Sequence, residues 1–324
     1  MVFEGTVDSY SVYRKQRPSV TFVVNREVVS PVLFRNSESD RSETQEFRGK
    51  LHAQVNPEKF ISQERLRGLH LLRYLTKEFD ESLDDFPEEE LPSGLISSEY
   101  AYNEPSNLPQ SVNLDTLTYG IAGTNDETFS IKSHVVQGYS YSMNEYSIND
   151  PEVRNAVYES GTMKNEDGEQ SASLYDVSPV QPDNNFVSFV TVEAGTPEML
   201  IYVLHNILNT ESYGARNTRM GRNIKNNITA VITSPHPHSL SSGELVMDYH
   251  SKENTTNESI QKYLNSVRDN SWNIFSEELD DFQSMPDWYN EYYNLAQFTD
   301  EQKMFEKYQN VTQNAFEVLV LGGD

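Results

Sequence analysis

Apolar positions along the chain fall into short runs whose period changes between two and about 3.6, the mark of strands mixed with helices. Val20–Val24 and Val28–Phe34 are β-branched and aromatic, and read as two strands separated by the polar Asn25–Glu27, a first hairpin or bent strand. Ser62 is placed to cap a helix in which Leu66, Leu69, Leu72 and Leu75 form an apolar stripe. Gly68 inside that helix costs about 1 kcal/mol relative to Ala and points to close approach of another group to the backbone. Phe186–Val192 is the strongest strand signal. Thr196, Pro197 and Glu198 then combine an N-cap residue, a first-turn proline and a first-turn acid, opening a helix whose buried face is Leu200, Val203, Leu204, Ile207 and Leu208 and whose end lies near Asn209. An alternating strand follows over Ile228–Thr233. Two more helices are expected, over 257–275 and 299–314, the second with Thr299 and Gln302 spaced as a capping box, before a last apolar run, Phe316–Leu321.

Strand, helix, strand-rich middle, strand, helix, strand is the order of a split βαβ, ferredoxin-like unit of the α+β class, here carrying large insertions and a mainly helical C-terminal region. An unrelated α+β domain would give the same layout. The expected division places the core in residues 1–77 and 111–251, a peripheral acidic insertion with Pro87, Pro92, Pro105 and Pro109 in 78–110, and the helical region in 252–324.

Charge adds the next constraint. The 324 residues hold 50 acidic and 25 basic side chains, for a net charge of −25, while 19 Tyr and 15 Phe argue for a packed chain rather than an acidic disordered one. Acid spread over every long segment fits a surface kept hydrated at high salt. The basic residues are instead concentrated in two blocks, one over 14–77 and one over 216–227, which a fold could join into one patch. With no cysteine there is no disulfide, thiolate catalysis, zinc ribbon or iron–sulfur cluster. The N-terminal residues lack a signal-peptide pattern and no apolar window approaches 18 residues, so a soluble cytoplasmic protein without a membrane partner is expected.

Residues 212–227 hold four basic residues and no acidic one. Arg216, Arg219 and Arg222 recur every third residue, Lys225 follows, and Gly214 and Gly221 let backbone approach a ligand, a surface suited to nucleic-acid phosphates. The alternative is a glycine-capped helix end with solvated charges. Tyr213 either stacks on a base or packs as a turn aromatic. Arg65, Arg67 and Arg73 on the first helix are the second binding candidate; Arg65 and Arg73 lie about 80° apart around an ideal helix and could face one ligand, with Arg67 facing elsewhere. Enzyme signatures are thin: His236-Pro-His238 has no neighbouring carboxylate to complete a metal pattern, and no nucleophile-elbow or phosphate-loop motif is present. A hydrolase with an unmotifed site and a capsid-like structural protein are the competing classes.

Four stretches in collinear order, Gln63–Gly68 with Leu72-Arg73, Asn155–Met163, Thr196–Leu208 and Tyr213–Gly221 with Asn226, resemble the backbone subunit of type I-D CRISPR interference complexes, a member of the Cas-seven superfamily. The resemblance spans about residues 60–235. It implies a modified RNA-recognition palm with a thumb insertion, copies of the chain stacked along a CRISPR RNA, other subunits of the complex as partners, and target DNA, or RNA, read by base pairing to the guide. It assigns Arg216, Arg219, Arg222 and Lys225 to guide phosphates, brings Tyr158, Met163 and Arg154 in as ribose, base or charge contacts beside core packing as the alternative, and leaves target cleavage open with no catalytic residue named. Relatives commonly carry a cysteine-rich zinc site before the pair matching Tyr119-Gly120; here Ser111–Thr118 has no such ligands, so no metal or cofactor is expected.

Overall fold

The computed structural model describes residues 5–12, 15–35, 41–80, 86–87, 89–105, 107–123, 128–147, 152–155, 162, 164, 174–219, 221–251 and 253–322. Strand β1 (Ser19–Val28) is followed by the hairpin β2 (Thr44–Phe47) and β3 (Lys50–Val55) and by the long helix α1 (Pro57–Phe79). Short helices α2 (Leu108–Ser111) and α3 (Leu114–Tyr119) lead to β4 (Ile121–Gly123), β5 (Phe129–Ile131), β6 (Val135–Gln137) and β7 (Ser140–Tyr141). The hairpin β8 (Glu152–Asn155) and β9 (Leu174–Val177) precedes β10 (Asn185–Glu193), α4 (Pro197–Leu208) and β11 (Ile224–Ser234). Beyond α5 (Ser242–Glu244), a π-helical turn over Leu245–Tyr249 and α6 (Thr256–Val267), the strand β12 (Asn273–Phe275) returns to the sheet before α7 (Asp287–Ala296) and α8 (Glu301–Leu319).

The main sheet runs β12-β11-β1-β10-β6, every neighbour antiparallel. Taken as β1-α1-β6-β10-α4-β11, its strands lie in the order fourth, first, third, second, which is the ferredoxin-like arrangement expected of the α+β core. Pleating sends Val20, Phe22 and Val24 to the side covered by α1 and α4, with Leu69, Leu72, Met199 and Val203. Val23 faces the other side, where Phe189, Ala230 and Ile232 pack under the π turn and α6 through Leu245, Ile260 and Tyr263. A register step between Val23 and Val24 against β11 marks a bulge in the middle of the sheet.

Several element boundaries differ from expectation for physical reasons. Residues 19–28 form one strand, because Arg26 and Glu27 continue the ladder with β10 and β11 instead of turning. Helix α1 starts five residues before Ser62: Asn56 caps it by accepting from the Glu58 amide, and Pro57 takes the first turn. Its buried face is Phe60, Glu64, Gly68, Leu69, Leu71, Leu72, Leu75 and Thr76, so Leu69, Leu72 and Leu75 lie inside as expected whereas Leu66 is 37% exposed. A Cβ on Gly68 would collide with the Tyr202 hydroxyl and Asn206 of α4, so the glycine lets the two helices cross closely. Thr196 precedes α4 but makes no capping hydrogen bond. The helix expected over 257–275 breaks at Val267 and its end becomes β12, α7 had no sequence signal, and α8 is capped by Asp300, one residue past Thr299, and continues through Phe316 to Leu319. In the 78–110 segment, Phe86 meets Phe316 edge-on, and Leu95, Ile96 and Tyr100 are buried in the helix-side core. No helix among the described residues is long and apolar enough to cross a membrane.

Candidate nucleic-acid interface

The basic loop between α4 and β11 is built on its asparagines. Asn223 closes its base: the Tyr213 amide donates to Asn223 Oδ1 (2.9 Å), and Asn223 Nδ2 donates to the carbonyls of Tyr213 and Thr218 (2.9 Å each). Its backbone also spans the loop ends, with the Asn223 amide donating to Glu211 O and its carbonyl accepting from Val29. Gly214 sits at φ +80°, and a Cβ there would lie 2.6 Å from the Leu33 carbonyl, a contact only glycine permits. The next amide, Ala215, donates to that same carbonyl at 2.8 Å, and Thr218 Oγ1 accepts from Leu33 N, so the turn over Arg216–Thr218 is seated on the segment after β1. With the backbone held inward, Arg216, Arg219, Arg222 and Lys225 are exposed.

A buried polar cluster underpins this loop. Arg26, wholly buried on β1, donates to Glu64 of α1 at 2.6 Å, to Ser188 Oγ of β10 at 2.9 Å, to Asn226 Oδ1 of β11 at 3.1 Å and to the Tyr213 hydroxyl at 3.3 Å. Its guanidinium also lies 4.2 Å from the centre of the Phe60 ring. Burial works to lower the Arg26 pKa, but Glu64 and Tyr213 outweigh it and raise it, so the group stays charged. Tyr213 donates to Glu64 at 3.0 Å, and burial, reinforced by Glu64, pushes its pKa far up. Asn226 Nδ2 donates to the carbonyls of Ile207 and Thr210, tying the end of α4 to β11.

The two basic blocks of the sequence meet here. Arg219 donates to Gln63 of α1 at 2.7 Å, and Arg67, one turn further along the same face, is exposed. Arg222 pairs with Glu211 at 3.0 Å, both half-exposed, a contact worth little in water and open to exchange for another anion.

A family model described as Csc2 Crispr matches residues 42–313. The chain belongs to the Csc2 family. Its fold resembles the crystal structure of Thermofilum pendens Csc2, with a TM-score of 0.58 at 13% identity over 95% of this chain and 91% of that one. It also resembles chains of two CRISPR RNA-guided surveillance complexes, one pre-nicking, with TM-scores of 0.54 and 0.50 at 9% and 10% identity, over 87% and 86% of this chain and all of theirs. No curated protein matches the sequence.

Within this Csc2-family fold some expected contact residues take other places. Tyr213 is fully buried and cannot stack on a base as the chain stands; it is the packed turn aromatic. Asn226 likewise spends its amide on the loop framework. Arg65 points away from the loop: it donates to Asp115 at 2.6 Å and stacks on Tyr102 and Tyr119, and although burial opposes it, Asp115 keeps its pKa raised. Arg73 is exposed on that side, so the face shared by Arg65 and Arg73 is turned from the basic loop, and Arg67, expected elsewhere, is on the row of Gln63. Arg154 pairs with Tyr175 across the β8–β9 hairpin, its side chain outside the described residues, as are Tyr158 and Met163. Gly221, at φ +116°, has open space about it.

Where zinc ligands were missing from the sequence, Ser111–Thr118 forms a hydrogen-bonded knot: Asn113 and Thr116 make a capping box, Thr116 Oγ1 donates to Ser111 O at 2.6 Å, and the buried Asp115 receives Arg65. His238 folds over the sheet, 2.9 Å from Thr21 Oγ1 and with its ring tilted against Trp272 at 4.4 Å; burial, aided by His236, lowers its pKa to about 4. Among the described residues no group of three His, Asp or Glu is placed to hold a metal ion. Arg26, Glu64 and Asn223 were missed by sequence reasoning. The signal for Glu64 was there, since it lies four residues from both Phe60 and Gly68 on the buried stripe.

Proposed function

We propose that this chain is the guide-binding backbone subunit of a type I-D CRISPR interference complex, stacking in head-to-tail copies along a CRISPR RNA and presenting it to target nucleic acid, with the other subunits of the complex as partners. The observation that carries this reading is the basic loop after α4: its Tyr213–Thr218 backbone is held by Asn223 and Leu33, and Arg216, Arg219, Arg222 and Lys225 are left exposed beside Arg67 in a chain of net charge −25. Membership of the Csc2 family and a fold like that of chains in RNA-guided surveillance complexes support it. Phosphate contacts of this kind hold the guide without reading sequence, which base pairing does. The hairpin β8–β9, inserted between β7 and β10, is the proposed thumb that interrupts guide–target pairing. The acid-rich remainder suits a cytoplasm of high salt, where hydration of the surface keeps the protein soluble.

The test is Arg216→Ala with Arg219→Ala in the full chain, titrated with guide RNA over a salt series. Affinity should fall with little dependence on guide sequence, and the slope of log affinity against log salt should shrink by roughly 1.4, about 0.7 per lost contact on a single strand. An unchanged slope in a folded double variant moves the RNA to another surface.

A further inference from the structure

The cations of the basic loop differ in how they are held. Arg216 opens a single 3-10 turn, Arg216–Thr218, which the Arg219 amide closes on the Arg216 carbonyl at 3.3 Å. Side chains three residues apart eclipse in a turn of that pitch, so Arg216 and Arg219 share one side of it. Arg219 is further restrained by Gln63, whose Oε1 accepts at 2.7 Å, and a neutral acceptor holds a guanidinium in place without cancelling its charge. Arg222 is instead paired with an acid, Glu211.

A three-residue turn has little stability of its own, and here one side chain supplies it. Asn223 is buried; its Oδ1 accepts from the Tyr213 amide and its Nδ2 donates to the carbonyls of Tyr213 and Thr218, all at 2.9 Å. The two bonds to Tyr213 are those a neighbouring strand would make with that residue, and the bond to Thr218 ties the last residue of the turn to the residue before β11. Asn223 thus fixes both the approach to the turn and its end, with Arg216 between the two points and Arg219 directly after. Tyr213 is held from its other end as well, since its hydroxyl donates to Glu64 in the buried cluster around Arg26. A loop that its ligand had to order would lose that backbone entropy from the affinity, whereas one ordered beforehand keeps it.

We propose that Asn223 is a positioning residue for guide binding: buried beneath the loop, it holds the Arg216–Thr218 turn in the conformation that presents Arg216 and Arg219 together, so that the guide backbone meets two guanidiniums already in place. The inference rests on the reading of this loop as the guide-binding surface. It separates two contributions that a count of charges merges. The arginines set how many counterions the RNA releases, and hence the steepness of the salt dependence. Asn223 sets the entropy lost in bringing them to the strand, and hence the height of the whole line. Because it acts through the arginines, its contribution disappears without them.

A double-mutant cycle tests this, with guide RNA titrated over a salt series against the full chain, Asn223→Ala, the Arg216→Ala, Arg219→Ala pair and the triple variant, each at a temperature where circular dichroism shows it folded. Asn223→Ala is expected to bind about tenfold more weakly at every salt concentration, on a line parallel to that of the parent chain. In the arginine-pair background the same substitution should change affinity by less than about twofold. Should Asn223→Ala fail to fold, Thr218→Val carries the same cycle: it keeps the side chain's shape and removes the hydroxyl that receives the Leu33 amide, and should give a smaller loss, about threefold, again on a parallel line. Unchanged affinity in the folded Asn223→Ala chain overturns the inference. A shrunken slope also overturns it, since phosphate contacts rather than ordering would then have been lost, and so does a full loss that persists without the arginines. The reading beneath it fails on a separate observation, a parental salt slope in the arginine-pair chain, whereas a reduced slope there with no effect of Asn223→Ala sinks this inference alone.

Discussion

Arg26 and Glu64 show how far one buried pair governs the candidate interface. Each charge has left water, and what compensates is their mutual contact at 2.6 Å together with the bonds to Ser188, Tyr213 and Asn226. Glu64→Gln keeps the shape and removes the counter-charge, leaving a buried guanidinium poorly balanced; urea unfolding should report a loss of about 3–5 kcal/mol. The double change Arg26→Met, Glu64→Leu should cost less than Glu64→Gln alone, because neither charge then needs to be desolvated. A single-variant loss below about 1 kcal/mol would mean that the pair does not hold the loop. At this scale the outward arginines were legible in the sequence, since spacing and the lack of nearby acid are visible there. The partners beneath them were not. A lone Arg inside an apolar run looks the same whether it ends a strand or is buried, and only the position of Glu64 on the Phe60–Gly68 stripe of α1 distinguishes the two.

The basic loop behaves as an element of its own, held at its base and open at its tip. Gly214 is hemmed in by Leu33 and Val32, while Gly221 has nothing within 4 Å, although both have positive φ. Gly214→Ala is therefore expected to destabilise by more than about 1 kcal/mol, and Gly221→Ala by less, since the tip can relax into open space. Thermal midpoints of the two variants decide it, and equal shifts would remove the Leu33 contact from the account. Elements with a strong period, β10 and α4, could be placed from sequence almost to the residue, because burial on all sides gives continuous apolar runs. Elements held by tertiary contact were harder. β12 is three residues paired with β11 and bridged to Gln283, and α7 is rich in Tyr and Asn with no side-chain cap at its start, so neither carries a local signal.

For the whole molecule, the net charge of −25 sets a self-repulsion that the packed core must overcome. Raising potassium chloride from about 0.1 M to 1 M shortens the Debye length from roughly 10 Å to 3 Å, so the thermal midpoint of the chain should climb. A flat or falling midpoint would detach the acidic surface from salt adaptation. The architecture was legible as an order of strands and helices, yet the sheet order has a consequence for how the chain is made. The central strand β1 leaves the ribosome long before its partners, and Val23 must wait for Phe189 on one side and Ala230 on the other. At about 5–20 residues per second, that interval is on the order of ten to forty seconds. Throughout it Val20, Phe22, Val23 and Val24 form an unpaired, apolar β-edge on a nascent chain, so the yield of folded protein depends on how quickly translation passes β10 and on what shields β1 until then.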